Sequence, residues 1–299
     1  MNARNNNTKK VKVAILGSGN IGTDLLVKTL RSPYLECSIF IGRNLSSKGM
    51  SKALSLNVNV SNQGSDAIIK NPDCCEIVFD ATSALSHQHH AKILSGLHKI
   101  AIDLTPAKVG HFCIPAINLD ECLKYNNINM ITCGGQSSIP LAHVIGQTQK
   151  QVDYIEVVST IASKSAGPAT RLNLDEYVDT TEKGIMLFSN CKQAKAILNL
   201  NPAEPCINMQ TTISALVPEP DLVALEKSVN AMVAKIQQYV PNYRLVIPPT
   251  YENNRIIMSV KVQGMGDFLP SYAGNLDIIN CAAIAVAEEF AKKLTDSRG

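Results

Sequence analysis

Val11-Lys12-Val13-Ala14-Ile15-Leu16-Gly17-Ser18-Gly19-Asn20-Ile21-Gly22 runs from a short apolar stretch of strand character straight into three spaced glycines. A helical pattern over residues 23–30 follows at once. This is G-x-G-x-x-G between a strand and a helix, the setting in which a dinucleotide's pyrophosphate rests on a helix N-terminus. Gly17 makes the tight turn, Gly19 lets the backbone approach the pyrophosphate, and Gly22 lets helix and strand pack closely. A glycine-rich turn without a ligand is the alternative.

Working outward, residues 37–41 read as the next strand and end in Gly42-Arg43-Asn44. NAD sites usually carry an acidic residue near here for the ribose 2′-hydroxyl. Arg43 can instead pair with a 2′-phosphate, so the expectation is NAD with NADP tolerated. An exposed loop charge is the other reading of Arg43. Residues 76–80 and 100–104 are further strands, and 114–117 and 128–132 are short extended candidates. Strand carboxyl ends line the cofactor cleft of such a sheet, which places Ser83 and Ala84 against the nicotinamide half. His87, His89 and His90 read as helix-surface histidines, and no metal site is expected. The alternation predicts an α/β fold: a Rossmann doubly wound parallel sheet over residues 11–132, after a polar tail at 1–10.

Composition narrows the function classes. The chain has 299 residues, 45% of them hydrophobic and 18% charged, ample for a buried core. A net charge of +3 is too mild to argue for nucleic acid. No apolar run is long enough for a membrane span, and the N-terminus lacks the apolar core of a signal peptide. Nine cysteines, an odd number without a C-x-x-C pair, point to reduced thiols and a cytoplasmic protein.

One cysteine has a special setting. Ile128-Asn129-Met130-Ile131-Thr132-Cys133-Gly134-Gly135-Gln136 reads as a strand end, a glycine turn and a helix start. A thiol there faces free backbone N–H groups, which favours thiolate and a nucleophilic role for Cys133. An ordinary thiol is only ~3% thiolate at neutral pH. Lowering its pKa to about 6 needs roughly 3.4 kcal/mol, and a helix terminus supplies at most about 2 kcal/mol. A second group must therefore help, with Glu204 and His87 as candidates. The helix proper is expected over residues 141–149, with Pro140 in its first turn.

The second half reads as an α+β catalytic and dimerisation domain over residues 133–274. Strands are expected at 154–161, 207–217 and 255–262, and helices at 173–188, 192–197 and 222–238. Ser163-Lys164-Ser165-Ala166-Gly167-Pro168-Ala169-Thr170-Arg171 is a small-residue loop with two cations, suited to a phosphate or a cofactor's polar groups. Residues 271–277 read as a turn. A helix over 278–294, within a closing segment at 275–299, completes the first domain.

The chain resembles the CoA-dependent, acetylating acetaldehyde dehydrogenases of aromatic meta-cleavage pathways. The likeness rests on Gly17-Ser18-Gly19-Asn20-Ile21-Gly22, Phe79-Asp80-Ala81-Thr82-Ser83-Ala84, Asp103-Leu104-Thr105-Pro106, Thr132 to Gln136, Ser163 to Arg171, Asn201-Pro202-Ala203-Glu204-Pro205 and Tyr272-Ala273-Gly274-Asn275-Leu276-Asp277. The resemblance implies an acyl-enzyme at Cys133 and NAD contacts at Ser18, Gly19, Asn20, Ile21, 163–171 and Asn275. It implies a fold like the semialdehyde and glyceraldehyde-phosphate dehydrogenases, a homodimer, and a 4-hydroxy-2-oxovalerate aldolase as partner. Three features depart from it: Arg43-Asn44, Thr211 where an Asp is expected to assist the cysteine, and a segment at 243–271 that looks shortened. A phosphate-dependent semialdehyde dehydrogenase and a non-catalytic nucleotide-binding redox sensor are the alternative functions.

Overall fold

β1 (Val11–Leu16) is buried except at Lys12 and leads through Gly17 to Gly19 into α1 (Asn20–Arg31). A computed structural model describes residues 10–296, so residues 1–9 of the expected tail lie outside the described residues. β2 (Leu35–Ile41), α2 (Lys48–Ser55), β3 (Val60–Ser61) and α3 (Asp66–Lys70) follow. Next come β4 (Ile77–Asp80), α4 (Ala84–Gly96), β5 (Ile100–Asp103), β6 (His111–Phe112), α5 (Pro115–Cys122) and β7 (Asn127–Asn129). The seven strands order as β3-β2-β1-β4-β5-β7-β6, and every pairing is parallel. The strand order reverses between β1 and β4, which opens a crevice at their carboxyl ends.

α6 (Cys133–Thr148) leads to the second sheet. That sheet comprises β8 (Tyr154–Ala162), β9 (Gln193–Asn201), β10 (Met209–Leu216), β11 (Tyr243–Glu252) and β12 (Arg255–Val262), ordered β11-β12-β10-β8-β9. Only β8 and β9 pair in parallel. α7 (Pro168–Leu172) and α8 (Leu174–Ser189) bridge those two strands, and α9 (Leu222–Gln237) lies between β10 and β11. Alternate residues of β8 and β10, among them Ile155, Val157, Met209 and Ile213, pack in one core with Ile139, Ile145, Leu225 and Val229 of the helices. α10 (Gly274–Asp296) then returns: Ile279, Ala282, Ala283, Val286 and Phe290 join the core of the first sheet.

Four local expectations are corrected. Residues 114–117 begin α5 instead of extending, because Pro115 fits a first helical turn and Asn118 accepts from the Ile114 N–H at 2.9 Å. Residues 192–197 belong to β9 despite good helix formers. Asn190, in the left-handed conformation, ends α8, and the nine paired positions along β8 override local propensity. α6 starts at Cys133, where the Thr132 hydroxyl caps the Gly135 N–H at 2.8 Å, so Pro140 sits in the helix interior. α10 starts at Gly274, inside the expected turn. β11 gave no clear signal because Pro248 and Pro249 interrupt it, as an edge strand tolerates.

Candidate active site

The loops after β1, β4, β5 and β7 open on one cleft of about 310 Å³, closed from the other side by α7, α8 and the start of α10. Gly19, Asn20, Ile21, Ser83, Cys133 and Asn275 all line it, together with Ser165, Gly167 and Thr170. The cleft thus brings the fingerprint turn, the cysteine and part of the small-residue loop together. Gly17 and Gly22 act from behind: Gly17 has φ +111°, and a Cβ on Gly22 would lie 1.8 Å from the Gly17 carbonyl oxygen. A Cβ on Gly19 would meet nothing within 4 Å, so the backbone there faces open space.

Other expected residues lie elsewhere. Ser18 turns toward α2, with its Oγ 3.3 Å from that of Ser47. Arg43 is exposed at the end of β2, beside Gly42, whose ideal Cβ position lies 2.3 Å from the Ser18 Oγ. Arg171 does not face the cleft: it donates to the Ala166 and Ser163 carbonyls and the Ser163 hydroxyl at 3.1, 3.1 and 2.9 Å, folding its own loop. Lys164 is exposed and pairs with Glu204. Both cations of that loop are therefore spent within the protein. Pro168 and Ala169 open α7, and their side chains lie outside the described residues.

Cys133 sits half-buried on the cleft floor, first in α6. Two residues earlier, Ile131 adopts φ +62°, a conformation that a β-branched residue reaches only when its surroundings hold it. Burial pushes the Cys133 thiol up to about 11, against the pull of the Tyr177 hydroxyl and the Gly134 N–H. The expectation that the helix start favours thiolate is thus corrected: its N–H groups pull that way, and desolvation outweighs them.

Neither proposed helper reaches the sulfur. Glu204 pairs with Lys164, and His87 is fully buried under the cleft, not on a helix surface. The side chain beside Sγ is Tyr177, with its Oη at 3.9 Å, on a helix whose sequence marks it only as an apolar position. Gly134 makes that approach possible, since a Cβ there would stand 2.0 Å from the Tyr177 Oη. Thr211, where the resemblance expects an Asp, is buried and bonded to the hydroxyls of Ser137 and Ser159 at 2.9 and 3.0 Å.

A buried polar chain supports the cleft from below. His87 Nδ1 meets Asp80 Oδ2 at 2.9 Å, and its Nε2 lies 3.4 Å from Asp103 Oδ2. His90 also reaches Asp80, at 2.8 Å. Asp103 accepts from the Thr105 N–H and the Asn129 amide at 2.8 and 2.7 Å. Burial pushes Asp103 up to about 7, with Asp80 adding to the rise and His87 opposing it. For His87, burial favours the neutral ring, but the bond to Asp80 and the charge of Asp103 outweigh it and raise the pKa.

The cleft also holds unfilled bonding capacity. Asn275 Oδ1 and Thr105 Oγ1 are buried, line the cleft and have no hydrogen-bond partner among the described residues. Buried polar atoms without partners are costly, and a bound group with a carboxamide would satisfy both. Asp24, Asp267 and Asp277 also cluster, but their carboxylates converge on the Lys28 ammonium at 2.8, 3.0 and 2.8 Å.

The two-sheet architecture is that of the aspartate semialdehyde dehydrogenases. The enzyme from Candida albicans, solved with NADP, matches with a TM-score of 0.65 and 12% identity over 96% of this chain and 99% of its own. Aspartate semialdehyde dehydrogenase II of Vibrio cholerae matches at 0.66 over 95% and 99%. Sequence relatives then fix the family. Residues 133–270 match the family described as prokaryotic acetaldehyde dehydrogenase, dimerisation. The acetaldehyde dehydrogenase of Pectobacterium atrosepticum is 58% identical, covering 95% of this chain and 96% of its own, and that of Spirochaeta aurantia is 57% identical over the same shares. The chain belongs to the acetaldehyde dehydrogenase family. The near-equal coverage corrects the expectation of a shortened segment at 243–271: against these relatives, no large deletion fits.

Proposed function

We propose that this chain oxidises acetaldehyde, or a similarly short aldehyde, through a thioester on Cys133 and passes the acyl group to coenzyme A, with NAD as oxidant and NADP tolerated. The observation that carries this reading is the single cleft shared by the fingerprint turn, Cys133 and the two unpartnered polar atoms of Asn275 and Thr105. Gly19, Asn20 and Ile21 at the start of α1 would hold the pyrophosphate, and Asn275 and Thr105 the nicotinamide carboxamide. The bound nicotinamide supplies the hydride acceptor. Cys133 attacks the aldehyde carbonyl to give a thiohemiacetal, and backbone N–H groups at the head of α6 stabilise its oxygen. Loss of hydride and of the hydroxyl proton leaves the thioester, which the thiol of coenzyme A takes over as Cys133 is released.

Following reduced nicotinamide with acetaldehyde plus NAD, and with coenzyme A, phosphate or neither, tests the reading. It is supported by turnover that needs coenzyme A and is lost in Cys133→Ala. Phosphate-dependent turnover would instead support the semialdehyde alternative, and full activity in Cys133→Ala would remove the thioester.

A homodimer through the second sheet belongs to the same proposal. Ile197, Val158, Thr212, Ser259 and Ile247 stand in one row across all five strands on the face away from the helices. Ile197 and Ile247 on that row are exposed. Nine free cysteines support a reducing, cytoplasmic setting, and no helix among the described residues is long and apolar enough to cross a membrane. A role in aromatic catabolism beside a 4-hydroxy-2-oxovalerate aldolase rests on the resemblance alone.

A further inference from the structure

Among the described residues, no ionised base stands beside the cysteine sulfur. Glu204 and His87 lie elsewhere, and the position where a carboxylate is expected holds Thr211. In its place, four hydroxyls from four different elements form a buried line. Tyr177 of α8 stands 3.9 Å from Cys133 Sγ, and its Oη and the Ser159 Oγ of β8 crowd the same point beside Gly134, 2.0 and 3.1 Å from that residue's ideal Cβ position. Ser159 Oγ lies 3.0 Å from Thr211 Oγ1 of β10, which lies 2.9 Å from Ser137 Oγ of α6. Ser137 in turn donates to the Gly134 carbonyl at 2.9 Å.

The line can run in two directions. In one, Ser137 donates to the Gly134 carbonyl, which only accepts, and itself accepts from Thr211. Thr211 then accepts from Ser159, and Ser159 from Tyr177. In this arrangement the Tyr177 oxygen accepts from the Cys133 thiol, and every hydroxyl in the line is satisfied. The reverse arrangement is also complete. The Gly134 carbonyl keeps the Ser138 hydroxyl as a donor at 2.7 Å, so Ser137 is free to turn toward Thr211. Each hydroxyl then rotates in step, and Tyr177 donates to the sulfur. Burial raises the Tyr177 hydroxyl well above its ordinary value, so it acts only as a neutral donor or acceptor.

We infer that Tyr177 is a catalytic residue. Its hydroxyl donates to the Cys133 thiolate, with Ser159, Thr211 and Ser137 as a rotating hydroxyl relay that lets it serve thiol and thiolate alike. No proton crosses the relay. The thiol proton leaves to water in the cleft, the sulfur keeps the electron pair that attacks the aldehyde carbon, and only the hydroxyl orientations change. A neutral line of this kind stabilises an anion by hydrogen bonding alone, which accords with a thiol that burial holds high. The inference rests on Cys133 being the nucleophile.

Two readouts test it on the full chain. The first is the pH profile of iodoacetamide labelling at Cys133 without cofactor, followed on its own peptide. The second is steady-state turnover. Tyr177→Phe keeps the ring and removes only the hydroxyl. It should slow labelling near pH 8 and lower kcat by roughly tenfold each, the loss of one hydrogen bond to a charged group, with the KM for NAD within about twofold. Thr211→Val should give a smaller loss alone and none further in the Tyr177→Phe chain, because both act through one line. A folded Tyr177→Phe chain that labels and turns over like the native one overturns the inference, as does a full independent loss from Thr211→Val in that background. Labelling reads the contact without any turnover. Activity retained in Cys133→Ala would therefore count against the nucleophile itself and be told apart from failure of the Tyr177 contact.

Discussion

Asn129 Oδ1 accepts the backbone N–H of Ile131 at 2.8 Å and so holds a β-branched residue at φ +62°, two positions before Cys133. The same amide donates to Asp103 and to the Thr105 carbonyl, tying the turn to the ends of two strands. Holding Ile131 there costs about 1–3 kcal/mol, supplied by that bonding. Asn129→Ala should lower kcat roughly tenfold by releasing the turn. Adding Ile131→Gly should recover most of that rate, since glycine adopts this conformation freely. The buried isoleucine is lost in the double variant, so its Tm should fall further even as kcat recovers. Rate and melting point moving together would argue against a positioning role.

The buried Asp80-His87-Asp103 line makes stability depend on pH. Asp103 holds its proton up to about 7 in the fold, whereas an unfolded aspartate ionises near 4. The folded state binds the extra proton between those values, so stability falls as pH rises through that window. His87, raised from its ordinary value, adds stability below about 6.5 that is lost as pH rises through its folded value. Asp80 is depressed by its bonds to His87 and His90 against the cost of burial, so its contribution is present above about 4 and lost in acid. The Tm should therefore peak near pH 4 and decline toward pH 8. Asp103→Asn, similar in shape, should flatten that decline. An unchanged slope in a calorimetric pH series would show that Asp103 is not its source.

The parts of this fold that were legible share one property: their information is local. The strand, three glycines and helix of residues 11–31 need no distant partner, and neither does the even alternation of β8. Residues 192–197 carry Lys, Gln and Ala, which favour a helix, while the pairing that makes them a strand comes from β8. The site divides the same way. Cys133 was visible from its own turn, but Tyr177 meets it only because α8 crosses the head of α6 where Gly134 leaves room. His87 reads as a surface residue because the spacing of His87, His89 and His90 shows no partner in the nearby sequence. What buries it is the pair of aspartates at the ends of β4 and β5.

The proposed tolerance of NADP can be tested at Arg43. It is exposed at the end of β2, and among the described residues it makes no hydrogen bond or ion pair. The hydroxyls of Ser18 and Ser47 lie close by on the fingerprint side. A free guanidinium there suits a 2′-phosphate and gives NAD little. Arg43→Ala should raise the KM for NADP by about tenfold, the size of one charge-assisted contact, and that for NAD less than about twofold. Equal changes for both cofactors, measured on one preparation, would mean that Arg43 is an ordinary surface charge.

Lys28 joins the ends of the chain. Its ammonium is buried among Asp24, Asp267 and Asp277, and Arg31 shares Asp267 from the exposed side. Burial opposes its charge, but the surrounding negative groups, Asp24 and Asp277 among them, raise its pKa overall. One cation thus fastens α1 to the loop before α10 and to α10 itself, whose first residues include the cleft-lining Asn275. Lys28→Met keeps much of the side chain's bulk but leaves three carboxylates facing one another with only Arg31 nearby. Breaking a buried pair in this way costs about 3–5 kcal/mol, because the stranded charges lose more than the pair itself was worth. Denaturant unfolding should show that loss as a lower midpoint with an unchanged slope. Because three acids repel while any ionises, the deficit should shrink below about pH 4, where they take up protons. A deficit that stays constant down to acid pH would mean that Lys28 matters for its packing and not for its charge.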